Sequence, residues 1–278
     1  MFNDFISSWG LFYPSYITGW LVAFSLSLVG VFVVAKDQIF ISAAVAQASS
    51  FGVALGLWLS LATGIAWLGS DIALMNSAVL FAVLAALFSS HSIRRDSVEA
   101  VTGWIFLSAS SGAMLLLTHS PHGTEEVHRL LASSLIGATQ FDMWVFVGFA
   151  VFTVFMLLRY WQPLLLFTLD PRMAATTGLS LWRWGIFKAL WLGLAVGLSI
   201  RVSGMLYVFA CLVLPALVAK RLCGEIARLL WVTPIIALFA SGFGFVFANH
   251  YDFPPGQVTV AVLCSLLVLV WFLPVNQE

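Results

Sequence analysis

The chain has 278 residues, of which 62% are hydrophobic and 9% charged, and its formal net charge is zero. A soluble domain carries about 25% charged residues, so too little polar surface exists here to cover a globule in water, and lipid must solvate most of the exterior. The balanced charge leaves no basic face for nucleic acid.

About 20 apolar residues in helical form cross the hydrocarbon layer. Met1 to Pro14 lack the basic n-region and small-residue cleavage site of a signal peptide, so the first apolar run is expected to be retained. In chain order the runs fall at 15–35, 38–61, 72–90, 98–117, 141–160, 182–200, 203–219, 229–248 and 257–273. The expected fold is an all-α polytopic membrane helix bundle of nine spans, with eight or ten as alternatives. It is expected to form one transmembrane domain over residues 1–278, because nothing in the sequence resembles an interdomain linker.

Several stretches are more specific. In the second run Ser42, Ala46, Ser49, Ser50, Val53 and Gly56 share one helical face, and Phe40, Phe51 and Trp58 the opposite one. The fourth run holds Thr102, Ser108, Ser110, Ser111 and Gly112. Small residues allow close helix approach in lipid, and the same faces suit the lining of a pathway. Residues 129–139 are apolar but too short to cross, which fits a re-entrant half-helix buried by other helices. Residues 185–219 are too long for one span, and Ser203 and Gly204 permit a tight turn near Arg201–Gly204. Cys211, Cys223 and Cys264 have no metal-ligand spacing and read as packing residues.

Lysine and arginine stay on the cytoplasmic side of membrane proteins. With the N-terminus outside, ten of the twelve basic residues fall inside: Lys36, Arg94, Arg95, Arg159, Arg172, Arg183, Lys188, Lys220, Arg221 and Arg228. Only Arg129 and Arg201 fall outside. An odd number of spans then puts the C-terminus inside.

No energy source is legible in the chain. A P-loop needs lysine after glycine to cradle phosphates, and none of Lys36, Lys188 and Lys220 follows a glycine. Ion-driven carriers keep ionisable groups at mid-membrane, whereas Glu99 and Asp142 sit near helix ends, where solvated carboxylates are the simpler reading. No nucleophile elbow, zinc-protease motif or paired mid-span aspartates point to an enzyme. A passive pore or a permease driven by a separate ATPase remains. The loop 118–128 carries His119, His122, Glu125, Glu126 and His128, which suit zinc, manganese or iron chemically but match no strict metal motif. A polar docking loop and transient metal capture both fit it. His250 and Asp252 stand on the same outer side.

Four segments, in order, resemble the permease subunits of the ABC-3 (zinc, manganese and iron) family of bacterial ABC importers, relatives of the vitamin B12 and siderophore permeases. They are Gly30-Val-Phe-Val-Val-Ala-Lys-Asp with the helix through Gln47-Ala-Ser-Ser-Phe-Gly52, Phe167-Thr-Leu-Asp170-Pro171-Arg-Met-Ala174-Ala-Thr-Thr-Gly178, the stretch from Val202-Ser-Gly204 to Pro215-Ala216-Leu-Val-Ala219, and Asp252-Phe-Pro254-Pro-Gly256. The similarity spans about residues 15–273 and implies the type II importer architecture of the vitamin B12 permease.

The resemblance also implies roles. Asp170, Pro171, Ala174 and Gly178 would belong to a short cytoplasmic coupling helix that docks on the ATPase. Ser42, Ala43, Ala46, Gln47 and Ser50 would line the translocation pathway, and Gly204 and Pro215 would belong to a gate-side helix. The Asp252–Gly256 turn would lie near the face for a periplasmic or extracellular solute-binding protein. The chain itself would bind no cofactor, with ATP and magnesium on the partner ATPase. A second permease copy or a paralogue would complete the pathway in the bacterial inner membrane. One departure stands out. Many members of that family carry an Asp and a His four residues apart in the second span, and here Ala43 and Gln47 occupy those positions. Alanine cannot ligate, and a neutral amide is a poor zinc or manganese ligand. The cargo is then a metal bound elsewhere, a metal passing weakly held, or a chelate such as a siderophore. A passive channel or membrane scaffold is the alternative class.

Overall fold

The computed structural model describes residues 2–91, 98–118 and 135–272, and among these no strand occurs. The helices are α1 (Phe2–Val34), α2 (Ile39–Thr63), α3 (Asp71–His91), α4 (Val98–Thr118), α5 (Gln140–Leu169), α6 (Pro171–Thr176), α7 (Leu181–Leu222), α8 (Ile226–Tyr251) and α9 (Pro255–Trp271), with 3-10 turns at Ala66–Gly69 and Leu135–Gly137. Among the described residues seven helices are long and apolar enough to cross a membrane, and Pro255–Trp271 is a shorter apolar helix.

With 42 residues, α7 is about 63 Å long at 1.5 Å per residue, twice the roughly 30 Å hydrocarbon core. It divides at Gly204, whose φ of 74° and ψ of 160° are not helical. That backbone region is open to glycine almost alone. Helical structure continues through Arg201–Ser203, so the expected turn narrows to one residue and α7 has two limbs.

Other boundaries move too. α1 starts well before residue 15 and carries Pro14 inside it, because Ser8 and Tyr16 both donate hydrogen bonds to Asn249 Oδ1 (2.9 and 3.0 Å) and hold the polar N-terminal stretch in place. α5 runs past residue 160 to Leu169, bending at Tyr160 (φ −129°, ψ 17°) ahead of Pro163. Proline cannot donate to the carbonyl four residues back, which loosens the helix at that point. Of the expected half-helix at 129–139, Leu135–Gly137 forms a single 3-10 turn, and residues 129–134 lie outside the described residues.

Two compact units interleave along the chain. The first comprises Met1–Val34, Ala132–Arg159 and Val202–Glu278, and the second Ala35–Leu131 and Tyr160–Arg201. In the first, α1 packs on α8 and on the second limb of α7. Gly30 meets the backbone carbonyl of Leu212, leaving no room for a Cβ, and Tyr207 Oη donates to the Gly19 carbonyl at 2.9 Å. In the second, α2 packs on α3 and α4. Gly52 lies against Ser77, and Phe51 fits between Gly112 and Phe81. The first limb of α7 runs antiparallel to α3, with Gly193 on Val83, Gly197 on Val79 and Arg201 ion-paired to Asp71.

Three expectations need correction. Asp142 is not solvated but buried. Its Oδ2 accepts from Thr139 N (2.9 Å) and Oγ1 (2.7 Å) while Thr139 Oγ1 accepts from Asp142 N (3.2 Å), a reciprocal cap that starts α5. In α4, Thr102 is buried and Gly112 lies against the ring of Phe51, but Ser108 and Ser111 are exposed and take no part in a close approach within the chain. Cys211 is buried and Cys223 half-buried, whereas Cys264 is exposed on α9 and so is not a core packing residue.

Candidate docking helix and pathway face

α6 is defined by its ends. Pro171 takes the first helical position, where its missing N–H costs nothing. The side chain of Asp170 caps the start, with Oδ1 accepting from Arg172 N and Met173 N at 3.0 Å each. At the other end Gly178 adopts φ 84°. Its N–H donates to Ala175 O (3.1 Å), and Leu179 N–H reaches back to Ala174 O (3.0 Å). This pair of bonds is the Schellman closure, which requires a left-handed residue and so favours glycine. Ala174 is fully buried and seats the helix, while Arg172, Met173, Ala175 and Thr176 face outward. The surface open to a partner is therefore that outer face, and Ala174 lies beneath it.

Of the pathway candidates, Ser42, Ala43, Ala46 and Ser50 are buried and Gln47 is half-buried, all on α2. Ser50 Oγ donates to Ala46 O at 3.2 Å. The hydroxyls of Ser42 and Ser49, two turns apart on one face, are buried without a hydrogen-bond partner. Buried polar groups are nearly always paired, so two orphans on one face favour a role beyond packing. The opposite face carries Phe40 and Trp58, both substantially exposed. Gly204 forms the break of α7, and Pro215 lies in its second limb, leaving the Cys211 carbonyl without the usual donor four residues on.

The metal candidates His119, His122, Glu125, Glu126 and His128 lie outside the described residues. Among the described residues no group of three or more metal-ligating side chains comes together, His250 and Asp252 included. Sequence reasoning missed two arrangements, the Arg201–Asp71 pair and the placement of Lys36 over the ring of Phe167. Asp71 opening a helix and a lysine between two apolar runs were the only signals available.

This short helix, closed at both ends and set between two long spans, belongs to a polytopic membrane permease. The chain is a member of the ABC 3 transport family, whose sequence model matches residues 9–273. It is 22% identical over 278 residues to the manganese transport system membrane protein MntC of Halalkalibacterium halodurans, covering 99% of this chain and 91% of that protein. It is also 22% identical to the high-affinity zinc uptake system membrane protein ZnuB of Haemophilus influenzae, covering 94% and 97% respectively. Its fold matches that of PsaBC from Streptococcus pneumoniae in complex with Fab (TM-score 0.82, 19% identity, 100% of this chain and 98% of that one). It also matches an inward-facing metal-chelate type ABC transporter (TM-score 0.73, 17% identity, 94% and 85%).

Proposed function

We propose that this chain is the permease of an ATP-driven importer that carries manganese, zinc or iron into the cell. The observation that carries this reading is the doubly closed helix Asp170–Gly178 in a chain of the ABC 3 family. ATP and magnesium are bound by a separate ATPase that docks on the outer face of α6. A solute-binding protein delivers cargo on the opposite side, near the Asp252–Gly256 turn. A second permease copy or a paralogue completes the pathway, and nucleotide binding favours one of two states of the assembly. The chain lies in the bacterial cytoplasmic membrane with the N-terminus outside and the C-terminus inside, the orientation that keeps ten basic residues within.

A second cargo, a metal chelate, is favoured by Ala43 and Gln47. That face offers neutral hydroxyl and amide groups, which hydrogen-bond an already coordinated metal but do not offset the charge of a bare dication. Reconstitution with the partner ATPase and binding protein, with free and chelated manganese, zinc and iron supplied in turn, tests both cargoes. Cargo-stimulated ATP hydrolysis with uptake is expected. Hydrolysis indifferent to this chain would refute the permease reading, and strict dependence on free ions would refute the chelate.

A further inference from the structure

Within the second unit, the turn before α2 and the last turn of α5 meet through one pair of side chains. The ammonium of Lys36 stands over the ring of Phe167, 5.6 Å from its centroid. That is inside the roughly 6 Å over which a cation is attracted to an aromatic face. Phe167 is buried, as is Thr168 beside it. Gly185, in the second turn of α7, lies against the same ring, where a Cβ would sit 3.8 Å from Phe167 Cζ. The ring is thus held in the protein interior, and the half-buried Lys36 reaches it from the turn.

From the ring to α6 the backbone is bonded throughout. Asp170 N–H donates to Leu166 O (3.0 Å), and Ala174 N–H donates to Asp170 O (3.0 Å). These bonds tie the cap residue both to the end of α5 and to α6. Phe167 precedes Asp170 by three residues, less than one helical turn. A shift of α6 is therefore passed to Phe167 along a short, hydrogen-bonded path.

On the other side of the contact, the start of α2 is weakly specified by its own residues. Asp37 stands at φ 54°, a left-handed conformation uncommon outside glycine. Gln38 precedes α2 without a side-chain capping bond, so the first N–H groups of the helix lack the partner that a Ser, Thr, Asp or Asn cap supplies. Lys36 lies three residues before Ile39, where α2 begins, and six before Ser42 on the candidate pathway face. The cation on the ring anchors a helix start that its cap does not.

We propose that Lys36 is a positioning residue for transport: its ammonium on the ring of Phe167 links α6 to α2, so that displacement of α6 by the ATPase moves the start of the helix carrying the pathway face. The proposal rests on the permease reading and names the contact through which the movement travels.

The test uses the full chain reconstituted in vesicles with its partner ATPase and binding protein. It measures uptake per ATP hydrolysed, with the free or chelated metal that the native chain carries, beside Tm in detergent. K36M keeps an apolar stem and removes the charge. It should lower uptake per ATP about fivefold, the factor that a half-buried cation–π contact supplies, while the chain still stimulates hydrolysis and melts no lower than the native chain. K36R keeps a cation that stacks on aromatic faces and should retain coupling. Fluorinated phenylalanines in place of Phe167 keep the ring's shape but draw negative charge from its face. Uptake per ATP should fall stepwise as fluorines are added, at constant Tm. Native coupling in K36M or in the fluorinated chains, equal loss in K36R and K36M, or a fall in Tm that matches the fall in coupling would each overturn the proposal. Hydrolysis indifferent to the native chain would instead refute the permease reading on which it rests.

Discussion

Arg201, in the last turn of the first α7 limb, forms an ion pair with Asp71, the first residue of α3. The pair continues the antiparallel seam that Gly193 and Gly197 make on Val83 and Val79. It stands three residues before the Gly204 break, so the limb is fixed to α3 just where the helical path is interrupted. By charge alone Arg201 is one of two exceptions to the inside bias. The pairing gives it a structural reason to be there.

The two partners are unequally solvated, with side-chain exposures of 16% for Arg201 and 71% for Asp71. Water around Asp71 screens the pair, so its coupling should stay within about 1 kcal/mol. D71N should therefore lower thermal stability slightly. R201A should cost more, because it also removes a packed aliphatic stem. A double-mutant cycle measured by melting in detergent isolates the pair, and a coupling several-fold above that bound would show the pair to be effectively buried.

The glycines of the seam leave less room still. A Cβ on Gly193 would lie 2.6 Å from Val83 Cα, and one on Gly197 2.6 Å from Val79 Cα. Backbone atoms cannot swing aside as side chains do. G193V and G197V should each destabilise by roughly 1–3 kcal/mol through overpacking. G103V, at a position with open space, serves as the control, and equal melting temperatures for all three variants would rule out a close seam.

At Gly204 the cost is conformational. Its φ of 74° and ψ of 160° lie where an L side chain is strained by about 1–3 kcal/mol. G204A should melt lower than the native chain, whereas the same exchange at Gly148, a helical position with open space around its Cα, should melt no lower. A neutral G204A would mean the break relaxes into ordinary helix.

The spans were legible because apolar length is a direct requirement of the bilayer, and the short helix α6 was legible because Asp-Pro and a following glycine are local signals. The faces were half legible. Helical spacing placed Ser42, Ser49 and Gly56 together, and burial agrees, but spacing alone could not foresee that Ser108 and Ser111 would be exposed. Asp142 misled for a different reason: a carboxylate near a helix end reads as solvated unless its capping partner, Thr139, is considered with it. Arg201–Asp71 and Lys36–Phe167 join residues about 130 positions apart, and no pattern within one sequence encodes such contacts.

Lys36 lies in a turn outside the spans, and loss of solvent lowers its pKa from the ordinary 10.5. Folding therefore disfavours its charged form. The sign follows from linkage: stability should be greatest above 10.5, and it should fall as pH drops through the lowered folded value. K36M removes this dependence and should be more stable than the native chain near neutral pH in lipid-free detergent. Melting curves of both proteins across this alkaline range, with identical pH slopes, would exclude an effect of Lys36.

The cap of α6 gives the sharpest separation of structure from side-chain identity. Asparagine caps a helix about as well as aspartate, while alanine forfeits about 0.5–2 kcal/mol. D170N should therefore keep α6 formed and retain transport coupled to ATP hydrolysis by the partner ATPase, while D170A should lower coupling. G178V should act in the same direction, because a β-branched residue is strained at φ 84°. Exchanging the outward Met173 for aspartate should weaken association with the ATPase without lowering the melting temperature, since that side chain is 55% exposed. Uptake and ATP hydrolysis measured side by side in reconstituted vesicles distinguish these outcomes. Equal loss in D170N and D170A would mean that the carboxylate charge itself contacts the partner, and that the cap is incidental to coupling.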